Sequence, residues 1–595
     1  MIDRTTKLRW RRNFRRSKRQ VGEIGTQAEE QFERHFFRRL SRLPDVRRFV
    51  AGWLALLLLL VAGVSLQLRA LGNYYEALQP VPGGTYNEGM MGAFTNASPL
   101  FATGLVDTTV SRLVFAGLLK YDERNHLVGD LAEKWQIDAT GKIYTFTLRP
   151  NLTWQDGEPV TAADVAFTFQ TIQNADAKSP LFHGWQGITI KKIDQRTVSF
   201  TLSSPLAPFI YSLTTGIVPQ HLLGKIPPAE LRSATFNTAH PVGAGPFSWE
   251  TIQVLGEGEN SAQQIGLQAF AHYHGGQPKL DQFVIHTYAT EAKLAQSFNH
   301  QEINAFVGLD QVPDTVNKTT ELQELSLPLT AETMVFLRTD SEVLKDAKVR
   351  QALVQAVNVP QVVKGLSYPT IIADEPLLHD NLGYNAGLKQ LPYDPVQANK
   401  LLDDAGWKRS DANKPRMNGS TPLKIKFYAQ NNADYSYITQ AVQQAWRAVG
   451  VDVEVTLPSD TDLQATINNR EYDALLYGVS IGTDPDVFPY WHSSQADPRA
   501  TSRLNFSDYR SGVADKALES GRTRTDPTLR AVKYGPFLQA WRTDAPAVAL
   551  YQPRFLYVTR GQLFGFNNTS LNTAADRFAN IENWMIRQSH GVKNN

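Results

Sequence analysis

The chain has 595 residues, with 60 Lys plus Arg against 58 Asp plus Glu, and 42% of its residues are hydrophobic. That length exceeds what one core serves and implies several domains, and the composition excludes wholesale disorder. Cysteine is absent, which excludes disulfides, thiolate metal sites, a cysteine nucleophile and lipid attachment through an N-terminal cysteine.

The charge is uneven. Residues 1–48 hold 15 basic and 6 acidic side chains, net +9, whereas the remainder is net −7. Nine Lys or Arg fall in residues 1–20, with Trp10 and Phe14 among them, and Phe32, Phe36, Leu40 and Leu43 fall at helical spacing among further arginines. This tail reads as a segment lying against anionic lipid, at about 1 kcal/mol per basic residue near the surface. A nucleic-acid partner is not expected.

Residues 49–68, FVAGWLALLLLLVAGVSLQL, carry no charge. At about 1.5 Å per residue they span the roughly 30 Å hydrocarbon layer. Arg47 and Arg48 precede them, so the positive-inside rule places 1–48 in the cytoplasm and the large body outside. A cleaved signal peptide is the rival: Ala62, Gly63 and Ser65 would suit cleavage, but the apolar run is long for that role and 48 residues precede it. Residues 69–84, ending Gln79-Pro-Val-Pro-Gly-Gly, read as a linker.

The body begins with hairpins. In residues 134–149, Trp135 and Ile137 alternate before a turn at 139–141, and Tyr144, Phe146 and Leu148 share a face. Thr161 and Asp164 form a capping box opening a helix whose stripe is Val165, Phe169 and Ile172. Residues 188–202 are a second strand–turn–strand. Further on, Asp346 caps a helix, and Asp394-Pro395 opens another that Gly406 ends. Residues 408–422 read as a polar surface loop. From 423 the pattern is strand (423–429), helix (436–449), strand (451–457), helix (460–470) and strand (474–480), which predicts a parallel sheet with crossover helices. Ligands of such sheets sit at the carboxyl ends of strands, so the segment after Tyr477 is the prime site candidate.

Short catalytic signals are weak. Gly478-Val-Ser480-Ile-Gly482 matches G-x-S-x-G after a strand, but a nucleophile elbow needs a helix next, and Thr483-Asp484-Pro485-Asp486 reads as a loop. His272 and His274 would share a strand face about 7 Å apart, with no third ligand nearby. Asp403-Asp404 reads as a solvated pair on a helix face. Aromatics recur near the candidate sites instead: Phe182, Trp185 and Tyr211 in the first half, Tyr477, Phe488, Tyr490 and Trp491 in the second. They suit a water-excluding pocket with a few polar anchors.

The stretch Gly117–Phe169, GLLKYDERNHLVGDLAEKWQIDATGKIYTFTLRPNLTWQDGEPVTAADVAFTF, resembles the extracellular solute-binding proteins of ABC importers, family 5, which includes dipeptide- and oligopeptide-binding proteins. PVGAGPF (241–247), YHGGQPKLD (273–281), DAKVRQALVQAVN (346–358), YDPVQANKLLDDAGW (393–407) and YDALLYGVSIGTDPDVFPYWHSS (472–494) follow in family order. The resemblance implies an α/β, two-lobed, type II periplasmic-binding-protein fold after one transmembrane helix. Lobe I would be 85–287 plus a return segment at 548–595, with an inserted β-rich subdomain at about 120–235, and lobe II 288–547. It implies no enzyme and no cofactor. It implies capture of a peptide-like or other small solute between the lobes and delivery to permease subunits with their ATPases; a membrane sensor of the same fold is the alternative, and a serine hydrolase the third. Trp185, Tyr477, Gly478, Ser480, Ile481, Asp484, Asp486, Tyr490 and Trp491 would meet the solute. Two departures stand out. The family's lipidated cysteine is missing. Ile481 also stands where peptide-binding members place an aspartate that pairs with the peptide's α-amino group, which leaves Asp484 or Asp486, or a solute without a free amine.

Overall fold

The computed structural model describes residues 47–256, 261–318, 321–366, 368–500 and 502–592. The expected lipid-facing residues of the tail lie outside them. The chain divides into two compact units, one of residues 1–79 with 588–595 and one of residues 80–587. In the first, helix Arg47–Tyr75 contains the apolar stretch Phe49–Gln67, long and apolar enough to cross a membrane, with Leu54 and Leu56 to Leu60 exposed. Residues 69–84 are not a plain linker: the helix continues to Tyr75 and strand Glu76–Val81 follows.

The second unit carries two large sheets. Seven strands run in the order Leu322–Pro328, Arg554–Arg560, Ala305–Val307, Thr85–Met91, Gln282–Tyr288, Ala262–Ala269 and Phe247–Leu255. Six run in the order Ile371–Ile372, Ala547–Gln552, Ala331–Leu337, Ala474–Ser480, Lys424–Ala429 and Asp452–Thr456. Lys424–Ala429 is parallel to both Asp452–Thr456 and Ala474–Ser480, joined through helices Ala433–Ala448 and Asp460–Asn469. Ile438, Val442 and Trp446 of the first helix are fully buried against this sheet.

Strands up to Pro328 still belong to the seven-stranded sheet, so the chain passes to the second sheet at 329–330 and not near 288; it returns at Pro553. The two passages are bonded to each other. The Leu329 amide donates to the Pro553 carbonyl at 2.9 Å, and Gln552 Nε2 donates to the Leu329 carbonyl at 2.7 Å.

A four-stranded antiparallel sheet orders Ala132–Ile137, Ile143–Leu148, Thr197–Thr201 and Thr189–Lys192. Trp135 pairs with Phe146 and Ile137 with Tyr144, the register the alternation predicts. Helix Ala162–Ile172 covers it, opened by the expected capping box: Thr161 accepts from the Ala163 amide, and Asp164 accepts from the Thr161 amide at 2.8 Å. Asp346 and Asp394 also cap as expected, accepting from the Lys348 and Gln397 amides at 2.9 Å each.

The 408–422 segment departs from a plain surface loop. Arg416 is buried there, donating to Asp403 Oδ1 and to the carbonyls of Trp407 and Val449 at 2.7 Å each. Asp403, half-exposed as its helix-face reading expects, is thus also an ion-pair partner. His272 and His274 lie in a turn region rather than a strand, and His274 Nε2 bonds Asp130 at 2.7 Å. Burial pushes the Asp130 carboxyl up, but that bond and the imidazole's charge outweigh it and hold the pKa at about 2. Among the described residues no group of three or more ligating side chains is placed to hold a metal.

Candidate solute-binding site

The site is built on the carboxyl end of strand Ala474–Ser480. One edge of this strand pairs along its whole length with Ala331–Leu337. The other edge meets Lys424–Ala429 only as far as the pair Ala429–Leu476, so 477–480 extend past that partner. Tyr477 packs edge-on against Phe506 at 5.2 Å between ring centres. Gly478 sits where a Cβ would stand 3.1 Å from the Tyr435 hydroxyl, so a larger residue would crowd that tyrosine. Ser480 is exposed, and its carbonyl accepts from the Tyr490 hydroxyl at 2.6 Å. Burial pushes the Tyr490 phenol up to about 12, so it stays a donor at neutral pH.

The turn that follows is tied to the passage between the sheets. The amides of Ile481 and Gly482 both donate to the Thr330 carbonyl, at 3.0 and 2.9 Å. Gly482 has φ +79°, which glycine adopts without steric cost. Asn381 Nδ2 donates to the carbonyls of Gly482 and Thr483 at 3.2 Å each. Much of the main-chain capacity of 481–483 is thus committed internally, and the strand edge at 477–480 is the freer segment.

Ile481 is buried. Asp484 is buried too, and Arg530 of helix Pro527–Asp544 holds it with two bonds of 2.7 Å. Burial works against the Arg530 charge, but the Asp484 hydrogen bonds and charge overcome this and raise its pKa further. Asp486 bonds Arg522 at 2.8 Å, and that guanidinium lies 4.1 Å over the Phe488 ring. Burial raises the Asp486 carboxyl, with Arg522 opposing. Both aspartates considered as amine anchors are therefore already paired with arginines.

Two expected contacts belong to cores instead. Trp185 is 2% exposed and stacks on Phe169 at 4.0 Å beneath the four-stranded sheet. Trp491 is 1% exposed, packed against Phe336 and Trp541. Their aromatic character made them candidates, but each is packed within a buried core cluster.

Sequence reasoning named Tyr211 among the aromatics but missed the other residues facing the turn from the other lobe. The Thr483 hydroxyl lies against the phenols of Tyr121 and Tyr211, opposing the burial that raises both pKa values, yet it completes no hydrogen bond. Those two rings stack at 6.4 Å. Asn572, from the return segment, accepts from Thr330 Oγ1 at 2.6 Å and reaches the Tyr121 hydroxyl at 3.4 Å. A cavity of about 210 Å³ opens beside them, lined by Ser111, Arg112, Tyr121, Thr214, Asn572 and Asp576 among others. These residues sit in four separate stretches of sequence, Tyr121 within the 117–169 stretch, and only the tertiary fold unites them. Ser480 of the G-x-S-x-G match has no histidine bonded to it among the described residues, and a loop, not a helix, follows it.

The sequence model described as bacterial extracellular solute-binding proteins, family 5 Middle, matches residues 126–499, more than half of the chain. The oligopeptide-binding protein AppA of Bacillus subtilis (strain 168) is 26% identical over 530 residues, covering 86% of this chain and 93% of that protein. A Brucella ovis protein named as an ABC transporter peptide-binding protein is 27% identical over 533 residues, covering 87% and 96%. The structure of Bacillus subtilis AppA with a nonapeptide has a TM-score of 0.68 at 25% identity, covering 86% of this chain and all (100%) of that one. NikZ of Campylobacter jejuni, solved with Ni(L-His), shares the fold alone, with a TM-score of 0.71 at 24% identity over 84% and 99% of the two chains. The two-sheet α/β body is thus a type II periplasmic-binding-protein fold, and the chain belongs to the bacterial extracellular solute-binding proteins, family 5.

Proposed function

We propose that the protein is the solute-capturing receptor of an ABC importer, taking peptide-like solutes between its lobes and handing them to permease subunits driven by ATPases. The observation that carries this reading is the meeting of the two lobes at the 481–483 turn, where Tyr121 and Tyr211 of one stand against Thr483 of the other. The peptide-binding names of the AppA and Brucella ovis relatives support it. An extended peptide would add main-chain hydrogen bonds along the edge at 477–480, which is sequence-tolerant recognition. Tyr477 and Tyr490 would flank it. The solute would favour the closed state only by its extra affinity for that form.

The amine end is the distinctive point. Ile481 presents an apolar wall, and Asp484 and Asp486 are spent on Arg530 and Arg522. A desolvated ammonium there would find both of these aspartates already held by arginines. Blocking a peptide's N-terminus should therefore cost little. Calorimetry with matched free and acetylated peptides tests this: affinities within about threefold are expected, whereas a hundredfold loss, about 2.7 kcal/mol, would mean that an aspartate leaves its arginine to take the amine.

The Phe49–Gln67 helix is proposed as an uncleaved anchor, replacing the lipid that an absent cysteine cannot carry, with the basic tail against anionic lipid inside. Protease added to spheroplasts should digest the body and spare residues 1–48; a protected body would contradict the receptor reading.

A further inference from the structure

Most buried carboxylates here have partners: Glu88 is bonded to Arg577, Asp130 to His274 and Asp484 to Arg530. Glu332 differs. It lies on strand Ala331–Leu337, is fully buried, and neither of its oxygens has a hydrogen-bond partner. Side chains alternate between the faces of a strand, so Glu332 shares a side with Met334 and Phe336, in the apolar cluster that also holds Leu377, Val479 and Ile481. Glu375 faces it there and is fully buried too. One Glu375 oxygen accepts from the Asn385 amide at 2.9 Å, and the other has no partner.

The surrounding groups do not neutralise this pair. Asp374, the third acid, faces both and accepts from Lys389 Nζ at 2.8 Å and the Tyr384 hydroxyl at 3.2 Å, with His379 Nε2 at 3.5 Å. Asp380 is exposed. On the neighbouring elements, Arg530 is held by Asp484 and Arg522 by Asp486, and the Tyr534 hydroxyl lies against Arg530. Two carboxyls in one apolar site do not both ionise readily. Burial accordingly pushes both up, Glu375 to about 8, although the Asn385 amide and Lys389 oppose the shift there.

The segment that carries Glu375 also reaches the solute side. It is fastened to the six-stranded sheet at its two ends. The Ala373 amide donates to the Leu550 carbonyl at 3.1 Å, and the Gln390 side chain bonds the Ala549 amide and carbonyl at 3.0 and 2.9 Å. Between these ends, Asn381 accepts from the Leu378 amide and gives its Nδ2 to the carbonyls of Gly482 and Thr483. Residues 373–390 thus cover the carboxyl pair and hold the 481–483 turn at once.

We infer that Glu332 and Glu375 form an interior proton-binding site, and that the proton held there keeps residues 373–390 packed and the 481–483 turn in place. Losing it leaves two charges in an apolar core. The peripheral segment, bonded to the sheet mainly at its ends, then opens more readily than the central strand. The sign follows from the raised values: packing is firmest below the ordinary 4.5 and weakens as pH rises through about 8. The site does not depend on what the solute is; that solute affinity falls as pH rises rests on the capture reading.

Hydrogen exchange of the full chain at pH 6 and pH 8.5 tests this without any solute, each amide's rate being divided by its intrinsic rate at that pH. Protection of residues 373–390 and of the Ile481 and Gly482 amides should fall together, roughly tenfold or more, while helix Ala162–Ile172 changes less than about twofold. In Glu332→Gln with Glu375→Gln both stretches should hold within about twofold. Unchanged protection in the unaltered protein overturns the proposal and needs no variant to fold. A fall that the double variant keeps in full overturns it as well, and a fall confined to 373–390 overturns the coupling to the turn. None of these results bears on whether the protein captures peptides.

Discussion

Asp484 and Arg530 illustrate how a residue type can suggest the wrong role. A carboxylate in the loop after a strand reads as an anchor for solute, but the pair is buried and bidentate. Asp484→Asn strands a buried guanidinium and should cost about 3–5 kcal/mol of stability, while Asp484→Leu with Arg530→Met should be near neutral. Urea unfolding of the two variants checks the contrast. A second test lies at Glu332, which is fully buried with neither oxygen bonded, facing Glu375 and Asp374. Burial raises Glu332 well above its ordinary value and takes Glu375 to about 8, although the Asn385 amide and Lys389 oppose the shift at Glu375. Between the ordinary 4.5 and 8 the folded protein keeps protons that the unfolded chain has released, so stability should fall as pH rises across that window. Glu332→Gln with Glu375→Gln should flatten the decline, measured by denaturant unfolding at pH 5 and pH 8; an unchanged slope would show that these carboxyls do not carry it.

Elements whose signals are local were legible. The capping box at Thr161, the aspartate caps at 346 and 394, and the parallel run from 424 to 480 follow from spacing and end residues, which neighbouring chain controls. The strand end at 477–480 was legible as the carboxyl end of that run for the same reason. What spacing does not encode is which distant element covers a given face. Trp185 and Trp491 look alike as ligand platforms in sequence, and only packing against Phe169 and Phe336 makes them core. Arg112, Tyr121 and Asn572 come together through long-range topology that local spacing does not encode. Trp185→Ala should accordingly cost about 3–5 kcal/mol of stability without a specific effect on solute affinity. Calorimetric unfolding beside a binding titration separates the two; full stability with lost affinity would return Trp185 to the binding site.

At the scale of the molecule, two hydrogen-bonded passages at 329–330 and 553 join the sheets, and the solute-side turn at 481–482 is bonded to one of them. Hinge closure needs a few such residues to absorb the change. Fold and family converge on solute binding. Native mass spectrometry of the full chain after incubation with a mixed peptide pool tests this most directly. A receptor predicts a one-to-one complex that releases intact peptide when the protein is unfolded. Peptides recovered cleaved, or a protein that stays unliganded throughout the pool, would contradict it.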